Sequence, residues 1–289
     1  MHKAMTFWYR IAFRVASVLP LWLKRVLATV IASGYFVFNG KQRRGVMANL
    51  RTIRPQASYR ELVSLTWRTF RQAGLNLVDF FGMPTTSDDH IKAMVANFAD
   101  MRHMLEERSG GRPFCIVTGH YGHWELAGAV LGLGGYRTHA IALPQSSELL
   151  ERLYDSLRMR FGMTSHDVRL GLRDLLRHLP EGEVPAIVSD REYTSGGEPV
   201  AFFGRTVRFP RGAALLSFRR KMVGIPGFLV RQSDGRFLLE FGNPIAPEDP
   251  NERDWMRAFV QDFAHQYEKI VDRDPTQFLN FFDFWSAAA

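Results

Sequence analysis

From residue 90 onward, short apolar runs alternate with longer amphipathic segments. "PFCIVT", "THAIAL", "VPAIVS", "IPGFLVRQ" and "RFLLEFG" have the length and apolar density of strands. Between and around them, "HIKAMVANFADMRHMLEE", "HWELAGAVLGLG", "SELLERLYDSLRMRF", "VRLGLRDLLRHLP" and "PRGAALLSFRRK" read as helices, and a long loop precedes the last of these. This alternation predicts an α/β fold with a mainly parallel mixed sheet flanked by helices. A final helix over "DWMRAFVQDFAHQYEKIV" spaces Trp255, Phe259, Phe263 and Tyr267 four residues apart, a stripe expected to face the core. Upstream, "SYRELVSLTWRTFRQAGLNLVDFF" places Leu62, Leu65, Phe70 and Leu75 near helical spacing, and "GMPTTSDD" follows it as a loop.

The N-terminal pattern differs. "FWYRIAFRVASVLPLWLKRVLATVIASGYFVF" is apolar and aromatic but broken by Arg10, Arg14, Lys24 and Arg25, and Pro20 divides it into two helices. Its longest uncharged run, Val26 to Gly40, is shorter than the roughly 20 apolar residues a bilayer core requires. Two basic, apolar helices lying in the headgroup plane, or core helices of a soluble domain, both match this pattern. Residues 1–85 are therefore expected to form a helical membrane-associating region and residues 86–289 the α/β domain.

Composition narrows the function. The chain has 289 residues, 46% of them hydrophobic, enough for a sizeable core. One cysteine, Cys115, leaves no disulfide framework and is expected to be a buried strand residue. Lysine and arginine exceed aspartate and glutamate by 37 to 29, which suits an anionic membrane surface or an acidic partner. No helix-turn-helix, zinc-finger or aromatic RNA-binding signature accompanies the charge, so a nucleic-acid role is not expected.

Candidate chemistry gathers in "CIVTGHYGHWELAGAVLGLGG", residues 115 to 135. If Thr118 and Gly119 turn a buried strand into a helix, His120 sits at the strand's carboxyl end, where ligands of open α/β sheets bind. Glu125, just over one helical turn on, could reach back to one imidazole nitrogen and leave the other to take a proton from a substrate hydroxyl. With no serine or cysteine nucleophile nearby, such a pair would use the substrate itself as nucleophile, as in direct acyl transfer from a thioester to an alcohol. Helix capping or surface packing would account for His120 equally simply. His123 with His120 and Glu125 could instead serve a metal-dependent hydrolase, although no downstream cluster completes a ligand set. A non-catalytic membrane- or carrier-binding protein is the remaining alternative.

"TGHYGHWELAG" resembles the signature block of the lipid A biosynthesis acyltransferases, the lauroyl/myristoyl branch of the lysophospholipid acyltransferase superfamily. "RRGVMANLRTIRP", "LRMRFG", "LPEGEVPAIVSDRE" and "VAFFGRTVRFPRGAALLSFRRK" resemble further segments of that branch in the same order, over roughly residues 40 to 280. The resemblance implies an O-acyltransferase without an acyl-enzyme, in which His120 is the general base and Glu125 its partner. Arg158, Asp190 and Arg191 would line the site, and Phe202, Phe203 and Gly204 would form part of the acyl or acceptor groove, although a hairpin core fits these three almost as well. It implies an acyl-carrier-protein or acyl-CoA donor, a lipid or glycolipid acceptor, no cofactor and no metal, at the cytoplasmic face of a bacterial inner membrane. Two positions depart from the pattern: His123 replaces an asparagine, and the aromatic "RDPTQFLNFFDFWS" replaces a basic C-terminal stretch. The second departure leaves open whether the acceptor is lipid A itself.

Overall fold

The computed structural model describes residues 19–143, 148–193, 196–246 and 251–287. The expected helix before Pro20, with Arg10 and Arg14, lies outside them. Helix α1 (Leu21–Phe38) starts directly after Pro20, whose fixed φ of −64° leads into the first turn. Only Ala28 and Ala32 on it are buried, against α2 (Gly40–Ile53) and α3 (Tyr59–Gly82). The contact is close because the residues are small: a Cβ on Gly74 would come within 3.1 Å of the Ala28 carbonyl oxygen. The rest of α1 is apolar and bare, with Val30, Ile31 and Phe38 at 63%, 70% and 88% exposure. Its 18 residues have a mean hydropathy of 1.4. At about 1.5 Å per residue it is nearly as long as a bilayer core is thick.

The helix expected over residues 90–107 is interrupted. It forms α4 (Asp88–Ala93) and α5 (Met101–Ser109), because the intervening backbone bonds to an edge strand instead of to itself. Ala96 N–H donates to the Phe237 carbonyl, and the Asn97 side chain bonds both the N–H and the carbonyl of Leu239.

Six strands make one sheet: β1 (Phe114–Thr118), β2 (Thr138–Ala142), β3 (Met163–Asp167), β4 (Val184–Val188), β7 (Val223–Arg231) and β8 (Phe237–Phe241), in the order β3-β2-β4-β1-β7-β8. All neighbours are parallel except β8, which pairs antiparallel with β7. This is the α/β class the alternation predicted. Strand β3, "MTSHD", was not foreseen, since an edge strand with one large apolar residue lacks the apolar run that marks the others. The expected long loop also contains an antiparallel hairpin, β5 (Glu198–Phe202) and β6 (Arg205–Phe209).

Helices α6 (Trp124–Leu133) and α7 (Glu148–Arg160) connect β1, β2 and β3, and α8 (Gly171–His178) leads to β4. Helices α9 (Gly212–Arg220) and α10 (Glu252–Arg273) cover the opposite face, where Trp255, Phe259, Phe263 and Tyr267 are buried as the stripe predicted. Cys115 is likewise fully buried on β1, 3.1 Å from the Ser217 hydroxyl, and burial pushes its thiol up to about 11. Beyond α10 the chain returns beneath the sheet's carboxyl edge and ends in the short α11 (Phe284–Ala287).

The topology fixes where a ligand can bind. After β1 the chain crosses to β2 on the far side of β4, whereas after β4 it proceeds to β7 on the far side of β1. The connections diverge at the carboxyl ends of this adjacent pair and leave a crevice there.

Candidate active site

The parallel register pairs Thr118 with Val188, so the residues two positions beyond each strand, His120 and Asp190, meet across the crevice. One carboxylate oxygen accepts from the His120 backbone N–H at 2.9 Å, and the other lies 2.7 Å from Nδ1. Asp190 is fully buried. Burial alone would raise its pKa, but the His120 charge and hydrogen bonds, together with Arg191, outweigh burial and hold it at about 2. An ionised carboxylate can only accept, so Nδ1 carries a proton, and in the neutral ring the lone pair is then on Nε2.

This corrects the expected pairing of Glu125 with the imidazole. Glu125 is the second residue of α6, and it is engaged by Arg158 from α7, with Nη2 at 2.7 Å from one oxygen and Nε at 3.3 Å from the other. Arg158 also donates to the Ser165 hydroxyl of β3 at 3.1 Å. Among the described residues, the ion pair of His120 is with Asp190. The cause is the direction in which α6 begins. His123 caps that helix, its Nδ1 accepting from the Leu126 N–H at 3.3 Å, and the first turn then places Glu125 beside α7. Trp124 packs edge-on against the His120 ring, centroids 5.0 Å apart.

His123 is thus a buried helix cap. Burial and then the charge of Arg231 push it down to about 3, so it stays neutral. An asparagine at this position would offer the same kind of capping acceptor, and the substitution preserves the turn.

The loop from Gly119 to His123 is tied from several sides. Gly122 has φ of +61°, and a Cβ there would lie 2.2 Å from the Leu229 carbonyl oxygen. Its N–H donates to Gln277, its carbonyl accepts from Asn76, and His123 N–H donates to Leu229. Asn76 in turn accepts from Arg231, whose buried guanidinium pairs with Asp79 at 2.7 Å. From below, Leu279 N–H donates to the His120 carbonyl.

A cavity of about 1460 Å³ opens from this point. His120, Trp124, Glu125, Arg158 and Arg191 line it, and Lys41, Arg44 and Arg211 add positive charge. Its floor carries the small side chains of Ala140 and Ala186, neighbours across the sheet, with Ile116 beside them and Ala127 and Gly128 of α6 also on the lining. Arg191 is held by Asn280 at 2.7 Å and by the Leu279 carbonyl at 3.0 Å, over the Phe282 ring. Asp190 stands behind His120 and does not line the cavity.

Phe203 and Gly204, expected in the groove, are not on the cavity wall. They form the two-residue turn of the β5–β6 hairpin, both at positive φ (51° and 70°), with the Phe203 N–H donating to Glu268. The buried residue of the "FFG" segment is Phe202, stacked between Tyr267 and Trp285.

The sequence profile of the bacterial lipid A biosynthesis acyltransferases matches residues 1–286. The chain belongs to that family. It is 22% identical to a lipid A biosynthesis acyltransferase of Haemophilus influenzae over 241 residues, 80% of this chain and 75% of that protein. It is 25% identical to a phosphatidylinositol mannoside acyltransferase of Mycolicibacterium smegmatis over 182 residues, 61% of this chain and 58% of that protein. The names of these two relatives refer to different lipids, lipid A and phosphatidylinositol mannoside.

Within this family member, reading the sequence missed three contributors to the site. Tyr267 reads in the sequence as one rung of a core stripe, yet its hydroxyl lies 3.2 Å from Asp190. Asn280 lies in the aromatic C-terminal segment and reaches Asp190 and Arg191. Asn49 fastens that segment to α2, donating to the Asn280 and Phe282 carbonyls and accepting from Phe284 N–H, each at 2.8 Å. The usable signal was a lone amide or hydroxyl in an otherwise apolar stripe, since a buried polar group requires a partner.

Proposed function

We propose that this protein transfers a fatty acyl chain from the thioester of an acyl-carrier protein or acyl-CoA to a hydroxyl of a lipid or glycolipid. The observation that carries this reading is the His120–Asp190 pair at the head of a largely apolar cavity, with Nε2 left basic. Nε2 takes the acceptor's hydroxyl proton as its oxygen attacks the thioester carbonyl. A C–O bond forms, the tetrahedral oxyanion collapses, the C–S bond breaks, and the imidazolium returns the proton to the departing thiolate. Asp190 orients the ring and stabilises its charged form.

Glu125 enters through Arg158. Their pairing holds the guanidinium against the cavity wall, and the Arg158 N–H groups not used by Glu125 and Ser165 serve as donors to the oxyanion. Arg191 serves an anionic group of donor or acceptor. The small-residue floor receives the acyl chain, at roughly 0.8 kcal/mol per buried methylene.

The bare apolar face of α1 and the chain's net charge of +8 support attachment to an anionic membrane, at the cytoplasmic face of the bacterial inner membrane, where acyl thioesters are found. The test is mass spectrometry of cellular lipids from cells that carry the native chain, no chain, or His120→Ala. One lipid class should gain an acyl mass only with the native chain, and a full gain with His120→Ala would refute the reading.

A further inference from the structure

Asp190 is served by more than its histidine. Behind it, on the side away from the cavity, lies Tyr267 of α10, fully buried and stacked against Phe263 and Phe228 with centroids 5.6 Å and 5.5 Å apart. Its hydroxyl is 3.2 Å from Asp190 Oδ2, the oxygen that also accepts from the His120 backbone N–H. Asn280 Nδ2 stands 3.5 Å from the same oxygen. The approach depends on the signature block: a Cβ on Gly119 would lie 2.4 Å from Tyr267 Cζ and 2.6 Å from its hydroxyl oxygen. Glycine at 119 therefore creates the space through which the phenol reaches the carboxylate.

We infer that Tyr267 is a positioning residue for the proposed acyl transfer: its hydroxyl, admitted by Gly119, fixes Asp190 and sets how tightly the His120–Asp190 pair holds its proton. The inference rests on the His120 reading above and adds to it. Tyr267 can only donate here, since the carboxylate has no proton to give, and a donor on Oδ2 draws negative charge away from the oxygen that faces Nδ1. With the phenol in place the pair is basic enough to take a hydroxyl proton and still able to release it to the thiolate. The other groups facing this carboxylate are the amide of Asn280 and the charge of Arg191, and Tyr121 packs on Tyr267 at 6.4 Å. None of them can replace a phenol hydroxyl lost from the interior.

The test uses the full chain in detergent micelles, with ¹³C-labelled histidine and His120 assigned by its loss in His120→Gln. Tyr267→Phe removes one oxygen and keeps the ring. The pH at which the His120–Asp190 pair takes up its proton should rise by roughly half to one unit, and cellular acyl product should fall about tenfold. Replacing Tyr267 with 3-fluorotyrosine, a stronger donor of almost the same shape, should move the midpoint the other way, and this variant keeps the test decisive if Tyr267→Phe folds poorly. Phe263→Leu loosens the same stack without touching the carboxylate; it should lower the melting temperature and leave the midpoint in place. An unchanged midpoint in both Tyr267 variants overturns the inference. If the midpoints move but His120→Ala still acylates lipid, the network stands and the proposed role of His120 fails.

Discussion

Asp190→Asn separates the two candidate partners of His120 most sharply. Asparagine fits the same space and still accepts from the His120 N–H through its oxygen, but it also carries an NH₂ that can donate to Nδ1. Once Nδ1 accepts, the proton moves to Nε2 and the ring can no longer take a proton from a hydroxyl. Loss of an orienting carboxylate in this way costs on the order of 10⁴ in kcat where it has been measured in serine proteases, and a loss of about 10³–10⁴ is expected here.

Stability should fall as well. Asp190 has its pKa lowered from 3.8 to about 2. At ~1.4 kcal/mol per unit this difference contributes roughly 2–3 kcal/mol. Because the folded pKa is the lower one, that contribution is present above pH 3.8 and disappears as pH falls through about 2. At pH 7 the variant should therefore melt several degrees lower, and the gap between variant and native chain should close in acid. ¹⁵N spectra of labelled histidine report the tautomer directly, alongside acyl product by mass spectrometry. Glu125→Gln is the necessary comparison. It strands the guanidinium of Arg158, whose side chain is 10% exposed, and should cost about 3–5 kcal/mol of stability while leaving Nδ1 protonated. If Asp190→Asn keeps the native tautomer and turnover within tenfold while Glu125→Gln changes the tautomer, the pairing argued here is wrong.

Two other substitutions test the cavity and the frame around it. Ala186→Phe projects a ring from the cavity floor; if it blocks about four methylenes at ~0.8 kcal/mol each, the preference for the longer donor falls roughly hundredfold, and lipid profiles should shift to shorter chains. Unchanged chain length in the product would show that the acyl group lies elsewhere. Asn49→Ala removes three buried hydrogen bonds between α2 and the 280–284 segment, so stability should fall by roughly 3 kcal/mol. Denaturant unfolding measures this directly, and a loss below about 1 kcal/mol would mean that the segment is held by its aromatic packing alone.

Local signals were legible in the sequence and long-range ones were not. The strand–turn–helix at 114–133 could be read because an apolar strand, a short turn beginning with two small residues and an apolar, small-residue helix follow one another. The partner of His120 could not, because Asp190 lies 70 residues away and becomes a neighbour only through the adjacency of β1 and β4. Glu125 was the nearest carboxylate in sequence, and the cap at His123 directs it elsewhere. "FFG" was assigned to the groove, yet two consecutive positive φ angles turn it back at a hairpin tip. The aromatic tail was noted only as a departure from the family pattern. In it the Gln277 backbone carbonyl reaches the loop and the Asn280 side chain reaches the carboxylate.

That tail also sets an order of events during synthesis. Leu279, Asn280 and Phe282 brace His120, Asp190 and Arg191, but they leave the ribosome after every other part of the site. A nascent chain therefore carries β1, β4 and the cavity lining from the sheet before the segment that braces them, and the site is complete only when residues 275–285 have docked.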